Sequence, residues 1–406
     1  MKKEIDVQLE AMSSYLERCD RAVADTVRAA AARIPVFHAR LIAAGIDAAA
    51  VRRSADLDRL PILTKDQLLE AQRAAPPFGG LLASDAEPAR LFCSPGPLYE
   101  PQPPGQDPWR WQAALRALGV RRGTRLLNCF SYHLSPAGAM LDEACLALGA
   151  TVVPAGVGNL DLSAQVAADL GVDAYVGLPS YLKALVDKAR ERGFAWPIRR
   201  ALVTGEPLPP SLRAWLEPHV PLVLQSYGSA EAGLLGYETA PNSGLEIPEG
   251  VLVQVCDLET GATRSDDALG QVVVTLLRSD FALIRFGTGD LSAWRQGPSG
   301  QPRLAGILGR VGEAIKVRGL FLHPRQAGAA LAGLPQILAH RFVVRRAEHQ
   351  DQLSCELLAA PECSDSEALC AAVRERIRSW LRLSAEVVCV PELAAGPSIV
   401  DEREWR

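Results

Sequence analysis

TRLLNCFSYHLSPAGAMLDEACLALGATVVPAG, residues 124–156, decides how the chain folds. An apolar run of strand length (124–130) passes through a Ser/Pro turn into a segment with apolar residues at helical spacing (138–149). A second apolar, β-branched run (150–156) follows. The alternation continues outward on both sides. PWRWQAALRALG (108–119) reads as the preceding helix. Downstream come the helix LSAQVAADLG (162–171), the strand AYVGL (174–178), the helix YLKALVDKARERG (181–193), the strand RRALVTG (199–205), the helix SLRAWLEPH (211–219) and the strand PLVLQSYG (221–228). Short apolar strands alternating with amphipathic helices specify a parallel sheet covered by helices. Ligands in such sheets gather where the carboxyl ends of the strands meet the loops.

On the N-terminal side, residues 1–55 read as helix, Thr64 caps a helix over TKDQLLEAQRA (64–74), and Pro and Gly crowd residues 95–108 into a loop. Beyond about residue 235 the rhythm changes. EGVLVQVCD (249–257), GQVVVTLLR (270–278) and ALIRFGTG (282–289) alternate with turns, the pattern of antiparallel strands. After Gly309 and Arg310 the pattern becomes α+β, with strands at HRFVVRRA (340–347) and QLSCELLA (352–359) and a helix over SEALCAAVRERIRSWLR (366–382). The expected class is α/β. A large N-terminal domain (1–310) carries helix-covered, mostly parallel sheets plus a β-rich subdomain, and a small α+β C-terminal domain (311–406) is hinged near residues 311–313.

Composition removes several function classes. The chain has 406 residues, 48% hydrophobic and 22% charged, with a formal net charge of −4, so it has neither the basic character of a nucleic-acid binder nor a disordered composition. No apolar run reaches the roughly 18 residues of a membrane span, and the basic N-terminus lacks the apolar stretch of a signal peptide. Nine scattered cysteines without CxxC spacing suit reduced thiols in a cytoplasmic protein and give no zinc site. No GxSxG, HExxH, GxxxxGK[ST] or GxGxxG after the first strands is present.

Four short motifs carry the chemistry: TGEPLPP (204–210), QSYGSAEAG (225–233), IRFGTGDL (284–291) and GRVGEAIKVRG (309–319). Tyr227, before Gly228 at a strand end, offers a face on which a purine can stack, and Ser229 offers a hydroxyl. Glu231 pointed at a phosphate needs a cation between, which suits a Mg²⁺ ligand. Asp290 has two acceptor oxygens for two ribose hydroxyls. Arg310 can reach ribose or phosphate oxygens. Read singly, Glu231 passes for an acid at a helix start and Asp290 for a turn residue. The ordered set is what points to a function.

In that order and spacing the motifs resemble the adenylate-forming superfamily over nearly the whole chain. LPILTKDQL (60–68) and HPRQ (323–326) resemble its phenylacetate-CoA ligase branch. The resemblance implies an AMP-forming ligase that activates a carboxylic acid, aromatic in this branch, and passes it to coenzyme A, with ATP/AMP, Mg²⁺ and CoA as cofactors. It assigns Thr204, Gly205, Glu206 and Pro207 to the adenine side, with Ser226, Tyr227, Gly228, Ser229, Asp290, Arg310 and Lys316 also on the nucleotide. Glu231 takes the metal and a catalytic role, and Gly312 the hinge. FSYHLSPAG (130–138) lines the family's acyl pocket, so Tyr132 and His133 are pocket candidates, with His133 also a candidate for catalysis. Gly156 and Tyr181 are weaker ones. Homodimers are common in the family.

Two segments depart from it. The family's phosphate loop is roughly SSGTTGKP. Here SPGPLYEP (94–101) loses N–H donors to three prolines, puts Leu98 and Tyr99 in place of a small polar residue and a glycine, and puts Glu100 where the family has lysine. Lys316 is also the last lysine of the chain. The tail, where the family keeps a catalytic lysine, offers only Arg403 and Arg406. Three readings follow: a ligase, an acyltransferase on the same fold that uses preformed acyl-CoA or acyl-adenylate and delivers to CoA, a carrier protein or an amine, and a non-catalytic nucleotide or acyl-CoA binder.

Overall fold

A computed structural model describes residues 2–94, 96–268, 270–311, 315–318, 320–322, 324–363 and 365–403. They form two compact units, residues 1–309 and 310–406.

In the first unit, helix α1 (Lys2–Arg33) ends where Pro35 starts α2 (Pro35–Ala43). The helical reading of residues 1–55 therefore runs too far. Residues 44–53 are turns and coil, and Ser54–Arg59 is a short 3-10 turn. Proline carries no N–H to continue a preceding helix, but its fixed φ suits a first helical turn. Helix α3 (Lys65–Ala74) begins as the sequence predicts. The Thr64 hydroxyl accepts the Gln67 N–H at 3.2 Å, and the Gln67 side chain accepts the Thr64 N–H at 2.9 Å, a reciprocal cap.

The stretch 95–108 departs from its reading as plain loop. Strands β1 (Arg90–Cys93) and β2 (Tyr99–Gln102) pair antiparallel, and Leu98 is fully buried between them and the core. Prolines are tolerated here because a two-stranded ribbon leaves edge positions that donate to no neighbour.

After α4 (Trp111–Ala117), the units β3 (Arg125–Asn128), α5 (Ala137–Ala147), β4 (Thr151–Val153), α6 (Leu160–Asp169), β5 (Ala174–Gly177), α7 (Pro179–Arg192), β6 (Arg200–Val203), α8 (Pro210–Leu216) and β7 (Leu222–Ser229) follow the alternation read from the sequence. The strands order as β4-β3-β5-β6-β7 in parallel, and β8 (Gly233–Tyr237) joins antiparallel after a tight turn. Beyond it, β9 (Val251–Cys256), β10 (Thr263–Arg264), β11 (Gly270–Leu276) and β12 (Phe286–Ser292) form an antiparallel sheet ordered β10-β9-β11-β12. Continuous burial along β5 and β9 shows both faces covered, which is why these strands read as unbroken apolar runs.

A buried ion pair secures the strand that carries the second motif. Arg213 on α8 places one guanidinium nitrogen 2.9 Å from each carboxylate oxygen of Glu238 and donates to the Val223 carbonyl at 2.8 Å. Glu238 in turn accepts the backbone N–H groups of Gln225 and Asn242. With both carboxylate oxygens and both terminal guanidinium nitrogens bonded, the pair is compatible with an interior.

In the second unit, Ile337–Ala347 and Gln350–Ala359 make a long antiparallel hairpin, flanked by the parallel strands Ile399–Asp401 and Glu386–Cys389 and covered by the helix Ser366–Arg376. No helix among the described residues is long and apolar enough to cross a membrane.

Candidate active site

The site gathers at the carboxyl end of β7, where the segment 225–233 turns back into β8. Backbone crowding fixes that turn. A side chain at Gly228 would meet the Gly233 carbonyl at 2.6 Å and the Trp111 ring at 2.9 Å, and Gly233, at φ +72°, would meet Trp109. The Ser229 hydroxyl closes the turn by accepting the Ala232 N–H at 3.2 Å.

Tyr227 and Asp290, 63 residues apart in sequence, meet here. The Tyr227 hydroxyl donates to Asp290 Oδ2 at 2.8 Å. Asp290 stands on β12 and stays partly exposed, while Tyr227 is 8% exposed. The second and third motifs are thus one local structure. Thr204 and Gly205 follow β6 beside it, with Gly205 at φ +85°, and Glu206 accepts a hydrogen bond from the Ser180 hydroxyl at 2.6 Å. Pro207 is the next residue of that loop. Ser226 is buried, with no hydrogen-bond partner for its hydroxyl.

Glu231 is not a solvated acid at a helix start. It lies in the β7–β8 turn, its side chain is 3% exposed, and it forms an ion pair with Lys65. Burial pushes its carboxyl up, but the charge and hydrogen bond of Lys65 outweigh this, together with the Ser229 hydroxyl, and hold it below the usual carboxylate range. Glu100 has the opposite fate. Burial first, and then the Glu231 charge, hold its carboxyl well above the usual range, and neither of its oxygens has a hydrogen-bond partner. One ammonium thus faces two buried carboxyls, and the two titrate apart.

The sequence gives no direct signal for this triad, because its members come from three elements. Leu63 bonds to the Arg285 carbonyl and the Gly287 N–H beside β12, which sets the start of α3. Gln72 on α3 then grips Tyr99 of β2 through both its N–H and its carbonyl, each at 2.8 Å. These two ties bring Lys65, Glu100 and Glu231 together.

The acyl-pocket candidates are arranged unevenly. Tyr132 is held by the Asn128 amide at 2.9 Å and donates to Asp142 at 3.1 Å. His133 is exposed, and the only hydrogen bonds found for it among the described residues are through its backbone. Gly156, at φ +66°, bonds to the Asn128 carbonyl, and Tyr181 is half-buried on α7.

In the second unit, Arg310 lies on a short strand and Lys316 on the strand Ile315–Val317. Gly312 and Arg406 lie outside the described residues. Arg403 is buried and held by Asp351 at 2.9 Å and Asp401 at 2.6 Å, so its guanidinium is committed within its own unit. Among the described residues no group of three or more His, Cys, Asp or Glu is placed to hold a metal.

The family model described as AMP-binding enzyme matches residues 137–275. The phenylacetate-coenzyme A ligase of Thermus thermophilus is 28% identical over 77% of this chain and 74% of its own length, and that of Aromatoleum evansii is 26% identical over 90% and 88%. The fold matches a crystal structure of 2-hydroxyisobutyryl-CoA ligase in complex with 2-HIB-AMP and CoA, with a TM-score of 0.83 at 23% identity, over 95% of this chain and 90% of that one. With the four motifs in order and two of them joined through Tyr227 and Asp290, these likenesses support placing the chain in a phenylacetate-CoA ligase-like branch of the adenylate-forming enzymes.

Proposed function

We propose that this chain activates a carboxylic acid, aromatic by analogy with its relatives, as an acyl-adenylate and transfers the acyl group to the thiol of coenzyme A. The observation that carries this reading is the hydrogen bond from Tyr227 to Asp290 at the end of β7. It fixes the Asp290 carboxylate beside the Tyr227 ring at the strand ends, and a carboxylate beside an aromatic face suits a nucleoside. Asp290 would accept the ribose hydroxyls, and Tyr227, Gly205 and Glu206 would border the base. Arg310 and Lys316 are proposed for the nucleotide, and Gly312 for the hinge. Tyr132, His133, Gly156 and Tyr181 are proposed for the acyl side.

The residues present fit a divalent cation. Glu231 is a buried carboxylate satisfied by a cationic partner, and Glu100 beside it has two oxygens with no hydrogen bond. Bound there, Mg²⁺ would neutralise charge on the phosphate oxygens. Glu231 would hold it, and Ser229 keeps the Glu231 turn closed. The chain is read as a cytoplasmic enzyme.

The commitment of Arg403 and the altered hairpin favour a second reading, an acyltransferase that takes a preformed thioester or adenylate without ATP. Pyrophosphate release with Mg·ATP, CoA and a panel of aryl and arylacetic acids separates the two. Acid-dependent release supports the ligase. Its absence, with acyl exchange from preformed acyl-CoA, supports the transferase and removes the ligase.

A further inference from the structure

Four of the nine cysteines, Cys355, Cys363, Cys370 and Cys389, fall in the second unit, and the proposed reaction uses none of them. The fold brings two of them together from separate elements. Cys370 is buried on the helix Ser366–Arg376, and Cys389, partly exposed, ends the strand Glu386–Cys389. That strand is an edge of its sheet, paired on one side with Gln350–Ala359. Along it Val387 is buried, Val388 is exposed and Cys389 turns inward again, the alternation that aims its thiol at the helix. The two sulfurs stand 3.7 Å apart, in contact and unbonded. A disulfide has about 2.05 Å between its sulfurs, so a shift of roughly 0.8 Å by each, within the reach of side-chain rotation, closes the gap.

The surroundings single out this pair. Cys355 is fully buried on the adjacent strand, in register with Val387 rather than Cys389. The Cys363 thiol, in the turn before the helix, donates to the Asp365 carbonyl at 3.7 Å. Burial, then the bond and charge of Cys370, push the Cys389 thiol up to about 11. The thiolate is the nucleophile, so the pair rests as two thiols and yields to an oxidant slowly. The chain between the two sulfurs gives a link something to hold. It runs through one wide helical turn, Ile377–Leu381, which exposes Trp380, and leaves that turn at Arg382 with φ +55°, in the left-handed region where a side chain is strained.

We propose that Cys370 and Cys389 form a reversible disulfide, driven by a hydroperoxide, that ties the helix Ser366–Arg376 to the edge strand and clamps the segment between them. The hydroperoxide oxidises Cys389, the thiol that solvent reaches, to a sulfenic acid and leaves as an alcohol. The Cys370 thiol attacks that sulfur, the S–S bond forms and water departs. The bond broken is the peroxide O–O bond. Its two oxygens take up two electrons from the two sulfurs and one thiol proton each. An external dithiol reverses the step by exchange. The link closes a loop of about 20 residues, which limits the states open to it when it unfolds locally. A dithiol in a reducing compartment stays open until oxidant is supplied.

The test uses the full chain, reduced with dithiothreitol, freed of it and treated with hydrogen peroxide at about pH 8.5, where a slow thiol has more thiolate. Neither acid, nucleotide nor CoA is present, so the outcome does not depend on the ligase reading. Peptide mass spectrometry reads the link, and hydrogen exchange reads the clamp. The expected product is a Cys370–Cys389 cross-link that dithiothreitol removes, with amide exchange over residues 377–385 slowed about tenfold or more while it is closed. Cys370→Ala and Cys389→Ser should each abolish both the link and the slowing. Cys389→Ser, at a partly exposed strand end, covers any failure of Cys370→Ala to fold. Cys355→Ala and Cys363→Ser should keep both. Sulfinic or sulfonic acid at Cys389 without a link, or a link from Cys389 to Cys363 instead, overturns the pair. A Cys370–Cys389 link that leaves exchange over 377–385 unchanged overturns the clamp.

Discussion

Replacing Tyr227 by Phe removes one hydroxyl and leaves the ring, so it isolates the bond that joins two motifs. That bond is 2.8 Å long and ends on the carboxylate of Asp290. Hydrogen bonds to charged groups contribute about 1.5–3 kcal/mol. Asp290 is partly exposed, so water takes up some of the loss, and about 1 kcal/mol is the expected weakening of AMP binding, roughly fivefold. Asp290→Ala removes the acceptor proposed for both ribose hydroxyls. Two such bonds at about 1.5 kcal/mol each give about 3 kcal/mol, roughly 150-fold. The two effects are not independent, because Tyr227 acts by orienting Asp290. In the Asp290→Ala background, Tyr227→Phe should cost almost nothing further, a coupling of about 1 kcal/mol in a double-mutant cycle. Isothermal titration with AMP measures all four proteins. Equal effects of Tyr227→Phe in both backgrounds would refute the positioning role, and an unaltered affinity of Asp290→Ala would refute the ribose assignment.

Three other outcomes are expected. Arg213→Met strands the buried Glu238 carboxylate and should cost about 3–5 kcal/mol. Across a unit of 309 residues that is a fall in Tm of about 5–8 °C by calorimetry, partly recovered in Arg213→Met/Glu238→Leu. Asp107 caps α4 through the N–H groups of Trp111 and Gln112, yet burial outweighs these bonds and its carboxyl is pushed up to about 6. The folded chain thus binds this proton more tightly than the unfolded one. Stability is highest below the ordinary carboxylate value and declines as pH rises through about 6, so relative to Asp107→Asn it should fall by about 2 kcal/mol between about pH 4.5 and about pH 7 in urea titrations. Lys65→Met should lower activity more than Lys65→Arg, and should destabilise the fold less than Arg213→Met does, because Lys65 is one-third exposed and water can reach the pair. Melting curves and pyrophosphate release check both halves, and a Lys65→Met variant of wild-type activity would remove Lys65 from the site.

What could be read beforehand follows from the range of the forces involved. The alternation from β3 to β7 is legible because each strand is apolar on both faces and each helix carries one apolar stripe, patterns set within about ten residues. The Thr64 cap is legible for the same reason, since its two hydrogen bonds span three residues. The residues proposed for the nucleotide could be named because they sit in contiguous motifs. The hairpin Arg90–Gln102 was not. Its three prolines are local signals for loop, and they are overruled by the burial of Leu98 and by the grip of Gln72 on Tyr99 from a helix 27 residues away. A longer separation, 166 residues, hid the partnership of Lys65 with Glu231, and with it the surroundings of Glu100. From sequence, Glu100 is a charge reversal that damages an anion cradle. In the fold it is a buried carboxyl beside a second one, with a single ammonium between two acids. Losing a lysine and gaining a buried acid are different events physically, because only the second leaves polar atoms unsatisfied inside the protein. A substitution that merely abolished phosphate binding would be under no constraint to stay buried. Gln72 fixes β2 at Tyr99, and Glu100 is the next residue, turned inward where Tyr99 is turned out. The hairpin therefore holds that carboxyl inward, beside Glu231.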